Sequence, residues 1–303
     1  MNTDTVEEYS GTIISIPYNH HKIDALFYNI DTHSDHLEHK PVIVRLHGIL
    51  GNLLDETEHY LPSILADHDF SSVTMNTLLA NLGLFFGFGI FDDTIPQVDA
   101  VCNYLRNIGF KKIIIAGHGL GGSIALRYCA LRNDIEKYPA INGVIAIATP
   151  YSMPDTIRRR WELFGSEPSY DEVYEKAKRI FKPDCKLDTA QDEMIIIKKA
   201  HGHTYLPEHT EIYTLKTWWA LAGPEAEGTK AYKQIGNITK LPILLIHASN
   251  DEIIEGHESE DLCQIALKAG NKNVTHATIS ANHSFDNNHT DLAKTINEWL
   301  DRL

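Results

Sequence analysis

The sequence predicts an α/β protein on a mostly parallel, eight-stranded sheet with helices on both faces, and three observations carry that expectation. Short apolar runs recur along the chain, amphipathic segments alternate with them, and one long interval breaks the rhythm. The runs are Gly11–Pro17, Ile23–Tyr28, Pro41–His47, Ser71–Asn76, Lys112–Gly117, Ile141–Thr149, Leu241–Ser249 and Val274–Ile279. The first two are close enough to pair as an antiparallel hairpin. From the third onward, helical patterns such as Gln97–Ile108, Gly122–Arg132, Glu258–Lys268 and Leu292–Leu300 separate the strands, which is how a parallel sheet acquires cover on both faces.

Between Pro150 and Leu241 no clear strand is expected, while Asp171–Phe181 and Ile212–Ala222 read as helices. Residues 151–240 are therefore expected to form an inserted helical cap over the carboxyl ends of the strands, where ligands of open α/β sheets bind. Residues 1–150 and 241–303 make up the core domain on this division.

The 303 residues carry 27 Lys and Arg against 41 Asp and Glu, a formal charge of −14, with 43% hydrophobic content. Such a chain buries a large core, and its negative charge argues against nucleic acid or an anionic membrane as the main partner. A small molecule is the better candidate. The amino-terminal stretch Met1–Ser10 is acidic and polar without an apolar core of a signal, and no run reaches the length of a membrane span, so a cytoplasmic location is expected. Cys102, Cys129, Cys185 and Cys263 are widely spaced, which suits reduced thiols better than disulfides or a zinc site. His33, His36 and His39, and likewise His201 and His203, lack the acidic or cysteine companions of a metal site, and no cofactor is expected.

The most informative segment is Gly117-His118-Gly119-Leu120-Gly121. It matches the G-x-S-x-G nucleophile elbow at every position but the nucleophile. The β-branched run Lys112–Ala116 precedes it and the helical pattern Ser123–Tyr128 follows, which supplies the strand, turn and helix that the motif requires.

The elbow, the loop His47-Gly48-Ile49-Leu50-Gly51-Asn52, and Asp251 and His283 beyond later strands together resemble the α/β-hydrolase superfamily of esterases, lipases, thioesterases and peptidases. The resemblance covers nearly the whole chain outside the interval 151–240. It implies an α/β-hydrolase fold and acyl-transfer chemistry, with nucleophile, acid and histidine falling in that chain order at Gly119, Asp251 and His283. His283 would be the general base and Asp251 the carboxylate that holds its tautomer, with Glu252 the fallback acid. The backbone N–H groups of Ile49 and Leu120 would form the oxyanion hole. His47, Gly48, His118, Leu84 and Phe85 are expected beside the substrate, the last two in the apolar loop Leu78–Phe91, a wall suited to an apolar or aromatic acyl group or else ordinary core.

Glycine at 119 keeps the elbow's backbone, since φ > 0 is easy without a Cβ, but removes the hydroxyl that would form an acyl-enzyme. Ser123 is a helical turn further on, roughly 6 Å along the axis, and does not replace it. Three explanations stay open: a serine hydrolase whose nucleophile has been substituted, a natural glycine leaving Asp251 and His283 to activate water or serve lyase or cyclase chemistry, and a scaffold that binds a small molecule without turnover. Trp161, Trp218 and Trp219 either line a pocket entrance or hold the cap to the core, and Arg158-Arg159-Arg160 reads as a solvated helix face.

Overall fold

A computed structural model describes residues 11–29, 41–55, 57–82, 85–86, 89–133, 141–181, 192–199 and 210–303. The eight expected strands all form: β1 (Thr12–Tyr18), β2 (His21–Tyr28), β3 (Val42–Leu46), β4 (Ser71–Met75), β7 (Ile113–His118), β8 (Ile141–Ile147), β12 (Ile243–Ala248) and β13 (Val274–Ile279). They lie in the order β1-β2-β4-β3-β7-β8-β12-β13. β1 pairs antiparallel with β2, as does β2 with β4, and every later pairing is parallel.

Alternate side chains of the central strands enter two separate apolar layers, which is why their sequences read as unbroken hydrophobic runs. Val42, Val44, Leu46, Ile113 and Ile115 point to one layer, with Val101 and Leu105 of α2 (Thr94–Asn107), Ile124 of α3 (Leu120–Leu131) and Leu262 of α8 (Glu258–Lys268). Ile43, Ile114 and Ala116 point to the other, covered by Leu61 and Leu65 of α1 (Thr57–Asp67) and by Leu292, Ile296 and Trp299 of α9 (His289–Leu300). Arg45 interrupts the run of β3 and is 1% exposed; it makes a two-pronged ion pair with buried Glu58 of α1, both contacts at 2.8 Å. That pairing lets a charge sit in an apolar strand.

The interval 151–240 is helical only in part. It contains α4 (Met153–Phe164), α5 (Tyr170–Ile180), α6 (Leu215–Ala222) and α7 (Ala231–Ile235), but it also carries β9 (Ser166–Glu167), β10 (Met194–Lys199) and β11 (Glu211–Thr214). With β5 (Asn81–Leu82) and β6 (Phe85–Phe86) these strands make a second sheet ordered β5-β6-β11-β10-β9. The cause is visible in β10, where Ile195 and Ile197 are buried while Met194 and Ile196 are more than half exposed, a period of two that only a strand produces. Glu211–Thr214 opens the run expected as helix; Thr214 then caps α6 by accepting the N–H of Thr217.

The interval shares the main apolar layer rather than forming a core of its own. Trp161, Tyr170, Tyr213 and Trp218 are fully buried within it, with ring centroids 5.2–6.2 Å apart, so Trp161 and Trp218 are packing residues. Helix α7 packs against α3 and α8. Cys102, Cys129 and Cys263 are free thiols, and Cys185, His33, His36, His39, His201 and His203 lie outside the described residues. Among the described residues no helix is long and apolar enough to cross a membrane.

Candidate active site

Strand order places the site. β3 connects to β4 on one side, whereas β7 connects to β8 on the other, so the direction of winding across the sheet reverses between the parallel neighbours β3 and β7. At such a switch point the two following loops part and leave a crevice beyond the carboxyl ends of the strands. The loops here are 47–55 and the turn from β7 into α3.

That turn is built by glycines. A Cβ on Gly117 would lie 2.1 Å from the Gly121 carbonyl carbon, and one on Gly121 would lie 1.9 Å from the Leu46 carbonyl oxygen. Both contacts are with backbone and cannot relax, so strand, turn and helix approach this closely only without side chains. Gly121→Ala is expected to lower stability by about 3 kcal/mol or more, measured by denaturant unfolding, through overpacking at a site with no room to yield. Between them Gly119 sits at φ 53°, ψ −115° and caps α3, its N–H bonded to the Ile147 carbonyl at 2.9 Å and its own carbonyl accepting from Gly122 and Ser123.

His283 and Asp251 converge on this turn. His283 Nδ1 is 2.8 Å from Asp251 Oδ2, and the Asp251 side chain is wholly buried. Asp251 rather than Glu252 faces the ring. A Cβ built on Gly119 would stand 3.8 Å from His283 Nε2 and 3.9 Å from Gly48 Cα, with nothing nearer. A hydroxyl one bond beyond that carbon comes within hydrogen-bond reach of Nε2, about 2.6–3.2 Å. Because Nδ1 faces a carboxylate it carries the ring proton, which leaves the Nε2 lone pair directed at residue 119.

The carboxylate is held ionised. Burial alone would raise the Asp251 carboxyl, but the His283 imidazole, its hydrogen bond and the N–H groups of Ile254 and Ile253 outweigh it and hold the group below its ordinary value of 3.8. A lowered folded-state value contributes stability above pH 3.8 that is lost as pH falls through the lowered value. Asp251→Asn is accordingly expected to melt earlier than the parent near neutral pH, with the gap closing in acid; a gap independent of pH would contradict this.

The histidine loop is braced from two sides. His118 Nε2 lies 2.9 Å from the His283 carbonyl oxygen, and Tyr60 of α1 donates its hydroxyl to the Ser284 carbonyl at 3.0 Å. Thr77 N–H donates to His47 Nε2 at 3.3 Å, which puts that ring's proton on Nδ1, 2.9 Å from the Gly48 carbonyl. The rings of His47 and His118, expected beside the substrate, are 0% and 1% exposed and make these contacts with loop backbone. Gly48 does border the residue 119 position. Ile49 stands in the loop after β3, and Leu120 opens α3, whose first N–H groups have no intrahelical acceptor. Leu84 and the side chain of Phe85 lie outside the described residues. Ser123 is 1% exposed in the body of α3. Neither Tyr60 nor Thr77 carried a sequence signal, because both act across large separations in the chain.

The family model Hydrolase_4, described as serine aminopeptidase, S33, matches residues 85–279, more than half of the chain. The chain belongs to this family. Its fold is shared with esterases of known structure. The ferulic acid-bound Est1E from Butyrivibrio proteoclasticus superposes with a TM-score of 0.65 at 16% identity over 95% of this chain and 98% of that one. The Pyrococcus furiosus esterase Pf2001 gives 0.66 at 15% identity over 97% and 91%, and DcsB in complex with a substrate analogue gives 0.67 at 12% over 97% and 99%. No curated protein sequence matches this one. Within the Hydrolase_4 family match fall the elbow, Asp251 and the whole interval 151–240, while His283 follows just beyond its end.

Proposed function

We propose that this chain carries an esterase-type acyl-hydrolase site at residues 119, 283 and 251, with glycine in the nucleophile position. The observation that carries the reading is the His283 ring, fixed by Asp251 at Nδ1 with Nε2 3.8 Å from where a Cβ of residue 119 would stand. The N–H groups of Ile49 and Leu120 would bind the carbonyl oxygen of a bound ester, and their role does not depend on the residue at 119. Residues 151–240 would cap the crevice, with α7 part of the core's helical layer.

In this reading the chain as it stands binds and polarises an acyl compound but forms no acyl-enzyme, because glycine at 119 offers no hydroxyl. The partner is a small acyl molecule with an apolar or aromatic group; the Est1E structure with ferulic acid shows that this fold accommodates such a ligand. Titration calorimetry with aryl and medium-chain esters tests the binding half. Saturable binding without a burst of product supports the reading. Fast turnover with a covalent adduct on some other residue would end it. A second behaviour is favoured by the open space beside Nε2: slow, burst-free hydrolysis by water activated on His283, which His283→Ala would abolish.

A further inference from the structure

The loop that presents Asp251 is gripped by α4. Asp251 Oδ1 accepts the N–H groups of Ile253 and Ile254, each at 2.8 Å, which leaves Oδ2 for His283. The direction of the carboxylate therefore depends on where those two peptides sit. One of them, the peptide between Ile253 and Ile254, is held in turn by Arg159, whose Nη2 donates to the Ile253 carbonyl at 2.9 Å and to Glu258 Oε1 at 2.8 Å. Glu258, with a side chain 5% exposed, also accepts the Tyr151 N–H at 2.7 Å and the Glu255 N–H at 3.3 Å. One buried carboxylate thus joins the entry to the interval, its first helix and the end of the acid loop.

We propose that Arg159 is a positioning residue for the Asp251–His283 pair, so that the seating of α4 sets the orientation of the acid and hence of the base. This rests on the assignment of those two residues under the proposed function. The path is continuous: Arg159 holds the Ile253 carbonyl, the Ile254 N–H of the same peptide holds Asp251 Oδ1, and Asp251 Oδ2 holds His283 Nδ1.

The neighbouring arginines show why position 159 matters. Arg158 pairs with Glu162 and Asp171 on side chains about half to two-thirds exposed, where ion pairs contribute little. Arg160 is buried against Glu211 of β11. The solvated face expected for all three holds for Arg158 alone. Arg159 uses the planar fork of guanidinium to reach a carbonyl and a carboxylate together, which the ammonium of lysine reproduces only in part. Its loss leaves a buried carboxylate without its cation and a carbonyl without its donor, so the loop moves to recover partners.

The test compares Arg159→Met and Arg159→Lys with Arg158→Met as control. In the otherwise unaltered chain, proton NMR reads the hydrogen-bonded Nδ1 proton of His283, assigned by its absence in His283→Ala. In the Gly119→Ser background, ester hydrolysis reads kcat and KM separately. Arg159→Met is expected to broaden or shift the proton signal and to lower kcat by about ten- to a hundredfold with KM unchanged, the scale of misplacing a catalytic group by a fraction of an ångström to an ångström. Arg159→Lys should recover part of both, and Arg158→Met should alter neither. A folded Arg159→Met chain with the parental signal and kcat overturns the proposal, as does a rise in KM alone, which would mean that Arg159 touches substrate. Should Gly119→Ser show no turnover, the nucleophile assignment fails, while the proton signal still decides the role of Arg159.

Discussion

Gly119→Ser is expected to hydrolyse activated esters with a burst of product followed by steady turnover, and to label with an activated phosphonate at residue 119. The new Cβ meets only His283 Nε2 at 3.8 Å and Gly48 Cα at 3.9 Å, both ordinary contacts, so the substitution fits sterically. The hydroxyl then lies between a base already oriented by Asp251 and the N–H groups at the start of α3. Loss of a triad serine removes on the order of 10⁶ in kcat, and the gain over the glycine chain should approach that order. A cost accompanies it. At φ 53° and ψ −115° a residue with a Cβ is strained, and the variant should be less stable by about 1–3 kcal/mol. A Gly119→Ser chain that folds, binds esters and still shows neither burst nor label would remove the basis for reading this crevice as an acyl-transfer site.

Asp251→Asn in that serine background is expected to lower kcat by about 10⁴ with little change in KM. The distances in the site barely depend on which of the two residues is present; the proton position does. A carboxylate 2.8 Å from Nδ1 requires a proton there and leaves Nε2 as the acceptor facing residue 119. An asparagine can present its amide N–H to Nδ1 instead, which stabilises the tautomer with the proton on Nε2 and deprives the serine of its base. Rates measured well below the variant's melting temperature separate this from a folding defect, since a tautomer effect persists where the chain is fully folded. Unchanged kcat would show that the acid acts elsewhere, with Glu252 the residue to replace next.

The elements that the sequence exposes are those whose signal is local. Each strand of the main sheet contains a short apolar run, and Gly117 and Gly121 mark a close turn that needs glycine, because a Cβ at either position would penetrate backbone. Asp251 and His283 are recognisable from their positions just beyond β12 and β13. The second sheet is harder to anticipate. Its strands come from residues 81–82, 85–86, 166–167, 194–199 and 211–214, and most are too short to show a period; only β10, with alternating buried and exposed residues, carries one. The contacts of His47 and His118 have no sequence signature either, since a histidine beside a catalytic motif reads the same whether it faces a ligand or a backbone carbonyl, that of Gly48 for His47 and of His283 for His118.

By itself the sequence determined the strand pattern, the glycine elbow and the absence of a hydroxyl at 119, because each follows from the chemistry of neighbouring residues. Only the tertiary structure decided that His283 Nε2 points at that position, that His118 and Tyr60 brace the histidine loop, and that Arg159 and Glu258 fasten α4 to the acid loop. Those contacts join residues as much as 224 positions apart, and such separations leave no periodicity or spacing to read. They exist because the parallel sheet gathers the carboxyl ends of its strands at one edge, where distant loops must satisfy one another's buried polar groups.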